Sequence, residues 1–202
     1  MTLDLDTLKA ADRTMSGLHP FPAAVTTVHD GRTNGLISLS AGSAAIVFEA
    51  PRVVISLTKY NLTHDLILES GVFALHFLDN NPDIIDTSLE ILMGLGGATG
   101  RDGDKLAPFR TKVGVTGSPI LLDALSYVEG RVTGMLDNEE CTFFVADVVA
   151  AESLRRGQRL SVGEAWGKLP KEWIEMFDSN HVAQVADSRR RRGLPEAPAG
   201  SH

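Results

Sequence analysis

The stretch from Pro51 to Leu78 constrains the fold of this chain more than any other. Arg52-Val53-Val54-Ile55-Ser56-Leu57 is an almost unbroken apolar run of the kind that suits a strand buried on both faces. The polar segment Thr58-Lys59-Tyr60-Asn61-Leu62-Thr63-His64-Asp65 follows, and then a short apolar-periodic run from Leu66 to Ser70 that stops at Gly71. Val72 to Leu78 predicts a second strand. A strand, a loop of hydroxyl and amide side chains and a helix start gather several donors at one place. Such a place suits an anion, above all a phosphate. The competing reading is that Asn61 or Thr63 simply caps the helix.

Around this stretch the rest of the chain supplies more strands. Residues 4–15 can form a weak amphipathic helix, with Leu5, Leu8 and Met15 at helical spacing, and His19-Pro20-Phe21-Pro22 then blocks it. Ala23 to His29 and Thr33 to Ser40 flank Asp30-Gly31, which predicts a hairpin with a tight primed turn. The second arm is rich in small and hydroxylated residues (Ser38, Ser40, Gly42, Ser43), so its backbone is one that something approaches closely. Asn81-Pro82-Asp83 opens a helix whose core face carries Ile85, Leu89 and Leu92. Gly94 to Gly100 predicts a flexible loop, and it is neither a dinucleotide fingerprint nor a P-loop because it follows a helix and lacks their spacing. Ala124 to Leu136 and Thr142 to Ala151 are long strands joined by Asp137-Asn138-Glu139-Glu140, with Tyr127, Glu129 and Arg131 alternating on a wetted face. Trp166 to Pro170 leads into a short helix, Lys171 to Phe177. Six or seven strands with a few short helices describe a mainly β chain, a barrel with peripheral helices rather than alternating βαβ units.

Composition removes whole classes of function. A net charge of −7 and a pI near 5.3 argue against a general nucleic-acid binder. No apolar run reaches the roughly 18 residues of a membrane span. The first six residues include Asp4 and Asp6 where a secretory signal needs basic residues, so the cytoplasm is the expected location. Cys141 is the sole cysteine, and His19, His29 and His76 lack metal-ligand spacing, so neither a disulfide nor a metal site is expected. No nucleophile or general acid constellation nominates a catalytic residue. Four segments emerge: an N-terminal helical appendage (1–17), a barrel domain (18–165), a C-terminal helix (166–185) and a disordered basic tail (186–202). The tail carries net +2, and its Arg189 to Arg192 read as a solvated run.

Several segments in order resemble one family. Phe21 to Thr27 with Asp30-Gly31-Arg32 is similar to its opening strand and turn, and Asn34-Gly35-Leu36-Ile37-Ser38-Leu39-Ser40 to its flavin strand. Pro51 to Leu66, Ser70 to Leu75, Asp104-Lys105-Leu106, Thr116 to Leu121, Asp123-Ala124-Leu125 and Thr142 to Val145 complete the series. This order resembles the flavin reductase-like family, whose fold is an FMN-binding split β-barrel. The resemblance implies a homodimer with FMN near the subunit interface, with FAD or riboflavin as alternatives. It also implies a cofactor set. Ser38, Ser40 and Ser43, together with Thr27 and Leu39, would face the ring or ribityl chain. Thr58, Asn61 and Thr63 would hold ribityl and phosphate oxygens, with Lys59 and Lys105 as counter-charges.

The function so implied is an NAD(P)H-dependent flavin reductase that supplies reduced flavin, in one version to a partner monooxygenase. Three departures from the family pattern qualify it. Ala41 to Ala50 lacks the usual aromatic-hydroxyl pattern, and residues 165–178 do not match the usual ending. Cys141 stands where many nicotinamide-using members have histidine. Glu139 and Glu140 beside it would repel the extra phosphate of NADPH, which makes NADH the expected co-substrate. The alternatives are a flavin-binding oxidoreductase or sensor that does not use nicotinamide, favoured by Cys141, and a barrel that binds another ligand.

Overall fold

In a computed structural model that describes residues 4–196, the Asp30-Gly31 pair makes the turn its residues predict. Asp30 (φ 47°) and Gly31 (φ 76°) both take left-handed backbone, the conformation of a primed hairpin turn. The turn joins β1 (Ala23–His29) to β2 (Arg32–Ser38), with His29 opposite Arg32. Before it lies α1 (Leu5–Ser16), capped by the Asp4 carboxylate on the Thr7 amide. After it come β3 (Ala41–Ser43), β4 (Arg52–Thr58), α2 (Leu62–Ser70) and β5 (Val72–Phe77). Two long strands, β8 (Ser126–Asn138) and β9 (Cys141–Ser153), turn over Glu139-Glu140, where Glu139 again has positive φ (49°). Seven strands form one curled antiparallel sheet in the order β2-β1-β5-β8-β9-β4-β3. The short β6 (Thr111–Val113) and β7 (Pro119–Leu121) pair separately. Among the described residues, no helix is long and apolar enough to cross a membrane.

The sheet is lined on both sides. Inside its curl, Val25, Leu36, Val53, Ile55, Leu57, Phe73, Leu75 and Phe144 pack with Ile67 of α2. Truncating a fully buried phenylalanine such as Phe73 or Phe144 costs about 3–5 kcal/mol. Outside, α3 (Ile85–Gly97) places Leu89, Leu92 and Leu95 against Ala24 of β1. Leu160, α4 (Val162–Trp166) through Ala165, and α5 (Lys171–Arg191) through Trp173 complete that second cluster. Strand β1 therefore feeds both cores, Val25 to one and Ala24 to the other.

Several expectations are corrected. Strand β4 is buried on one face only: Val53, Ile55 and Leu57 point into the core, whereas Val54, Ser56 and Thr58 stay half-buried. The glycine-rich run is not a loop from Gly94, because α3 continues through Gly97. Its glycines allow close approach: a Cβ on Gly97 would lie 2.7 Å from Trp173 Nε1, and Trp173 Nε1 donates to the Met93 carbonyl (3.3 Å). The C-terminal helix extends to Arg191 instead of ending at Phe177, so residues 186–191 of the expected disordered tail are helical. Asp187 stabilises that extension by pairing with Arg190 and Arg191 one turn on, and the arginines suit the helix C-terminus. Residues 197–202 lie outside the described ones. Glu129 faces no water: it is buried, and its carboxylate accepts from the Val115 and Thr116 amides (3.1 and 2.8 Å).

Candidate functional site

The end of β4 and the start of α2 form the site. Asn61 holds the N-cap position with extended backbone, but its side chain makes no cap. Its Nδ2 donates instead to Thr58 Oγ1 (2.6 Å). Thr63 is buried and accepts from Asn34 Nδ2 (3.0 Å). Neither residue caps the helix, so α2 presents the positive end of its dipole without a side-chain acceptor. Thr58 Oγ1 is an acceptor for Asn61, which leaves its own proton to donate elsewhere.

The surroundings of this junction are fixed by ion pairs and ring contacts. Lys59 Nζ lies 2.7 Å from both oxygens of Asp137, and this bond holds the Asp137 carboxyl below its usual range. Buried His64 bridges Thr142 Oγ1 through Nε2 (2.9 Å) and Asp65 Oδ1 through Nδ1 (3.0 Å). Arg101, which the sequence did not single out, reaches Asp65 Oδ2 (3.2 Å) and the Tyr60 carbonyl (3.4 Å), tying the loop after α3 to the start of α2. Cys141 sits half-buried directly across from Thr58 in the β4–β9 ladder.

Thr58 and Glu140 also line a cavity of about 330 Å³ together with His181, Ser188, Arg189 and Arg192. The last four recur at helical spacing on one face of α5 and just past its end. Arg192 Nη1 approaches Glu140 Oε1 (3.5 Å), and Arg189 Nε donates to the Pro195 carbonyl (2.7 Å). Arg190, Arg191 and Arg192 are exposed, as a solvated run would be, but Arg190 and Arg191 also engage Asp187, and Arg189 and Arg192 line the cavity. Sequence reasoning missed these residues because their stripe is polar. The available signal was the spacing of His181, Ser188 and Arg192.

The other nominated residues divide. Ser38 Oγ accepts from the Ser40 amide (3.1 Å), the Ser40 carbonyl accepts from the Ser56 amide (2.9 Å), and Leu39 between them is half-buried. This segment thus runs along the edge of β4 close to the junction. Ser43 is exposed and donates to the Ala45 carbonyl (3.2 Å). Two residues lie elsewhere. Thr27 is buried at the far end of α2, where its hydroxyl donates to the Val72 carbonyl (2.6 Å). Lys105 donates to the Leu95 carbonyl of α3, and burial pulls its ammonium down to about 8.

Comparison with known proteins agrees with this architecture. The family model described as flavin reductase like domain matches residues 15–161. The ferric-chelate reductase (NAD(P)H) of Archaeoglobus fulgidus is 26% identical over 160 residues, covering 77% of this chain and 90% of that protein. An FMN-binding protein from Thermus thermophilus superposes with a TM-score of 0.59 at 24% identity, covering 67% of this chain and 71% of the other. A nitrilotriacetate monooxygenase component B homologue from Mycobacterium thermoresistibile gives 0.62 at 20% identity, covering 84% and 94%. At these identities the two structural likenesses are likenesses of fold.

Proposed function

Because the chain belongs to the flavin reductase-like domain family, we propose that it is an NAD(P)H-dependent flavin reductase that holds FMN where β4 meets α2. The observation that carries the FMN assignment is the uncapped start of α2 beside the Thr58 hydroxyl and the cavity. An anion placed there meets a helix dipole and charge-assisted donors without displacing any cap. Thr58 and Asn61 would hold the phosphate, and the Ser38–Ser43 edge would lie along the ribityl chain and ring. Lys59 and Lys105 would act from a distance, since both already have acidic or carbonyl partners. Thr63 would set the helix start through Asn34 rather than touch the ligand. Bound flavin supplies the hydride-accepting centre, and the protein's part is to bind, orient and shield it.

The reading includes a homodimer and NADH as donor. On the outward face of the sheet, Val54, Val145, Phe143 and Leu136 lie side by side in register, half-buried or exposed. Ile46 and Phe48 are exposed in the loop between β3 and β4. An apolar surface of this kind suits burial against a second copy. The preference for NADH rested on Glu139 and Glu140, and Arg192 now stands opposite Glu140, so Glu139 carries it alone. Likeness of fold to a monooxygenase component B homologue supports a flavin-dependent monooxygenase as the consumer of the reduced flavin. Calorimetry with FMN and riboflavin tests the phosphate assignment. FMN should bind at least tenfold more tightly, the worth of about one charge-assisted hydrogen bond, whereas equal affinities would refute it.

A further inference from the structure

The matched family region ends at residue 161, and the cavity beside Thr58 is walled by a helix that lies wholly beyond it. We infer that the end of α5 adds to the β4 terminus a binding site for the phosphate of an organic ester, with Arg189 and Arg192 as its guanidinium donors. Two of the four consecutive arginines are held by Asp187, whereas these two line the cavity. Among the described lining residues Glu140 is the one carboxylate, so two guanidinium charges line the cavity against one negative charge, in a chain whose net charge is −7.

The donors have capacity to spare. A guanidinium carries five N–H groups. Arg189 gives its Nε to the Pro195 carbonyl, and Arg192 makes a 3.5 Å contact with Glu140, near the outer limit of a hydrogen bond. Ser188 and Thr58 add hydroxyls. The volume of about 330 Å³ exceeds what a bare phosphate fills, and Val185 and Leu194 give the wall an apolar part that suits the organic portion of an ester. The identity of the ester rests on the reductase reading, which offers two sources: the flavin 5′-phosphate and the 2′-phosphate of NADPH. The site itself does not rest on that reading.

The test is the double variant Arg189→Gln/Arg192→Gln in the full chain, titrated beside the wild type with FMN, riboflavin, NADPH and NADH. The variant should lose on the order of tenfold or more in affinity for the phosphate-bearing member of one pair, with its dephosphorylated counterpart unchanged. The affected pair identifies the source. The double lysine variant should recover part of the loss, which a merely misfolded helix end would not. Unchanged FMN-to-riboflavin and NADPH-to-NADH ratios would overturn the inference. If the wild type binds none of the four, the reductase reading falls, and inorganic phosphate becomes the probe. Phosphate should then raise the melting temperature of the wild type above that in chloride of equal ionic strength, and should not do so in the glutamine variant. A rise in both proteins, or in neither, would overturn the inference independently.

Discussion

His76 ties the stability of the barrel to pH. It is fully buried on β5, where Nδ1 donates to the Ala24 carbonyl (3.1 Å) and Nε2 accepts from the Leu121 amide (3.1 Å). The bond from the Leu121 amide requires the neutral ring, because a protonated Nε2 cannot accept. Burial pushes its pKa down to about 4, against smaller opposing pulls from the Ala24 carbonyl and Glu129. An unfolded histidine titrates near 6.5, so between those values the unfolded chain holds a proton that the folded chain does not. Stability is therefore present above about pH 6.5 and is lost as pH falls toward 4. At about 1.4 kcal/mol per unit the full difference is about 3 kcal/mol, of which about 2 kcal/mol falls between pH 7 and pH 5. Urea unfolding of the wild type and of His76→Asn at both pH values isolates the effect. The asparagine variant should start less stable, because the Leu121 amide loses its acceptor, yet its decline from pH 7 to pH 5 should be smaller by about 2 kcal/mol. Equal declines in the two proteins would refute the reasoning.

Three other outcomes are expected. Thr63→Ala strands the buried Asn34 amide and should lower the stability of the ligand-free protein by about 1–3 kcal/mol, read from urea unfolding. Gly97→Val would drive a side chain into Trp173 and Met176, and an overpacking loss of about 1–3 kcal/mol should appear in thermal melts along with altered tryptophan fluorescence. Light scattering at micromolar concentration should give a dimer mass, and Leu136→Glu on the outward apolar face should shift it toward the monomer.

Features set by neighbours in the chain were legible in the sequence. Asp30-Gly31 demanded positive φ at adjacent positions, and the structure has it. The order strand, polar loop, helix and strand from Pro51 to Leu78 became β4, α2 and β5, with Gly71 in the left-handed conformation that ends the helix. Features set by distant partners were not. Thr63 resembled a ligand or cap residue because its partner, Asn34, lies 29 positions away. Glu129 alternated like a wetted residue, yet a loop 13 positions upstream folds back to bury it. The apolar run of β4 pointed to two buried faces, and the outer one instead remains half-open. The second half of α5 has a polar stripe rather than an apolar one, so periodicity stopped at Phe177 although the helix does not.

The central claim is that this chain passes hydride from a nicotinamide nucleotide to a bound flavin. Anaerobic stopped-flow absorbance of the FMN-loaded protein, mixed in turn with NADH and NADPH, tests it directly. Loss of the oxidised-flavin band on mixing with at least one donor is the expected result. Persistence of the band with both donors, while dithionite still removes it, would contradict the claim and leave a flavoprotein that takes its electrons from another source.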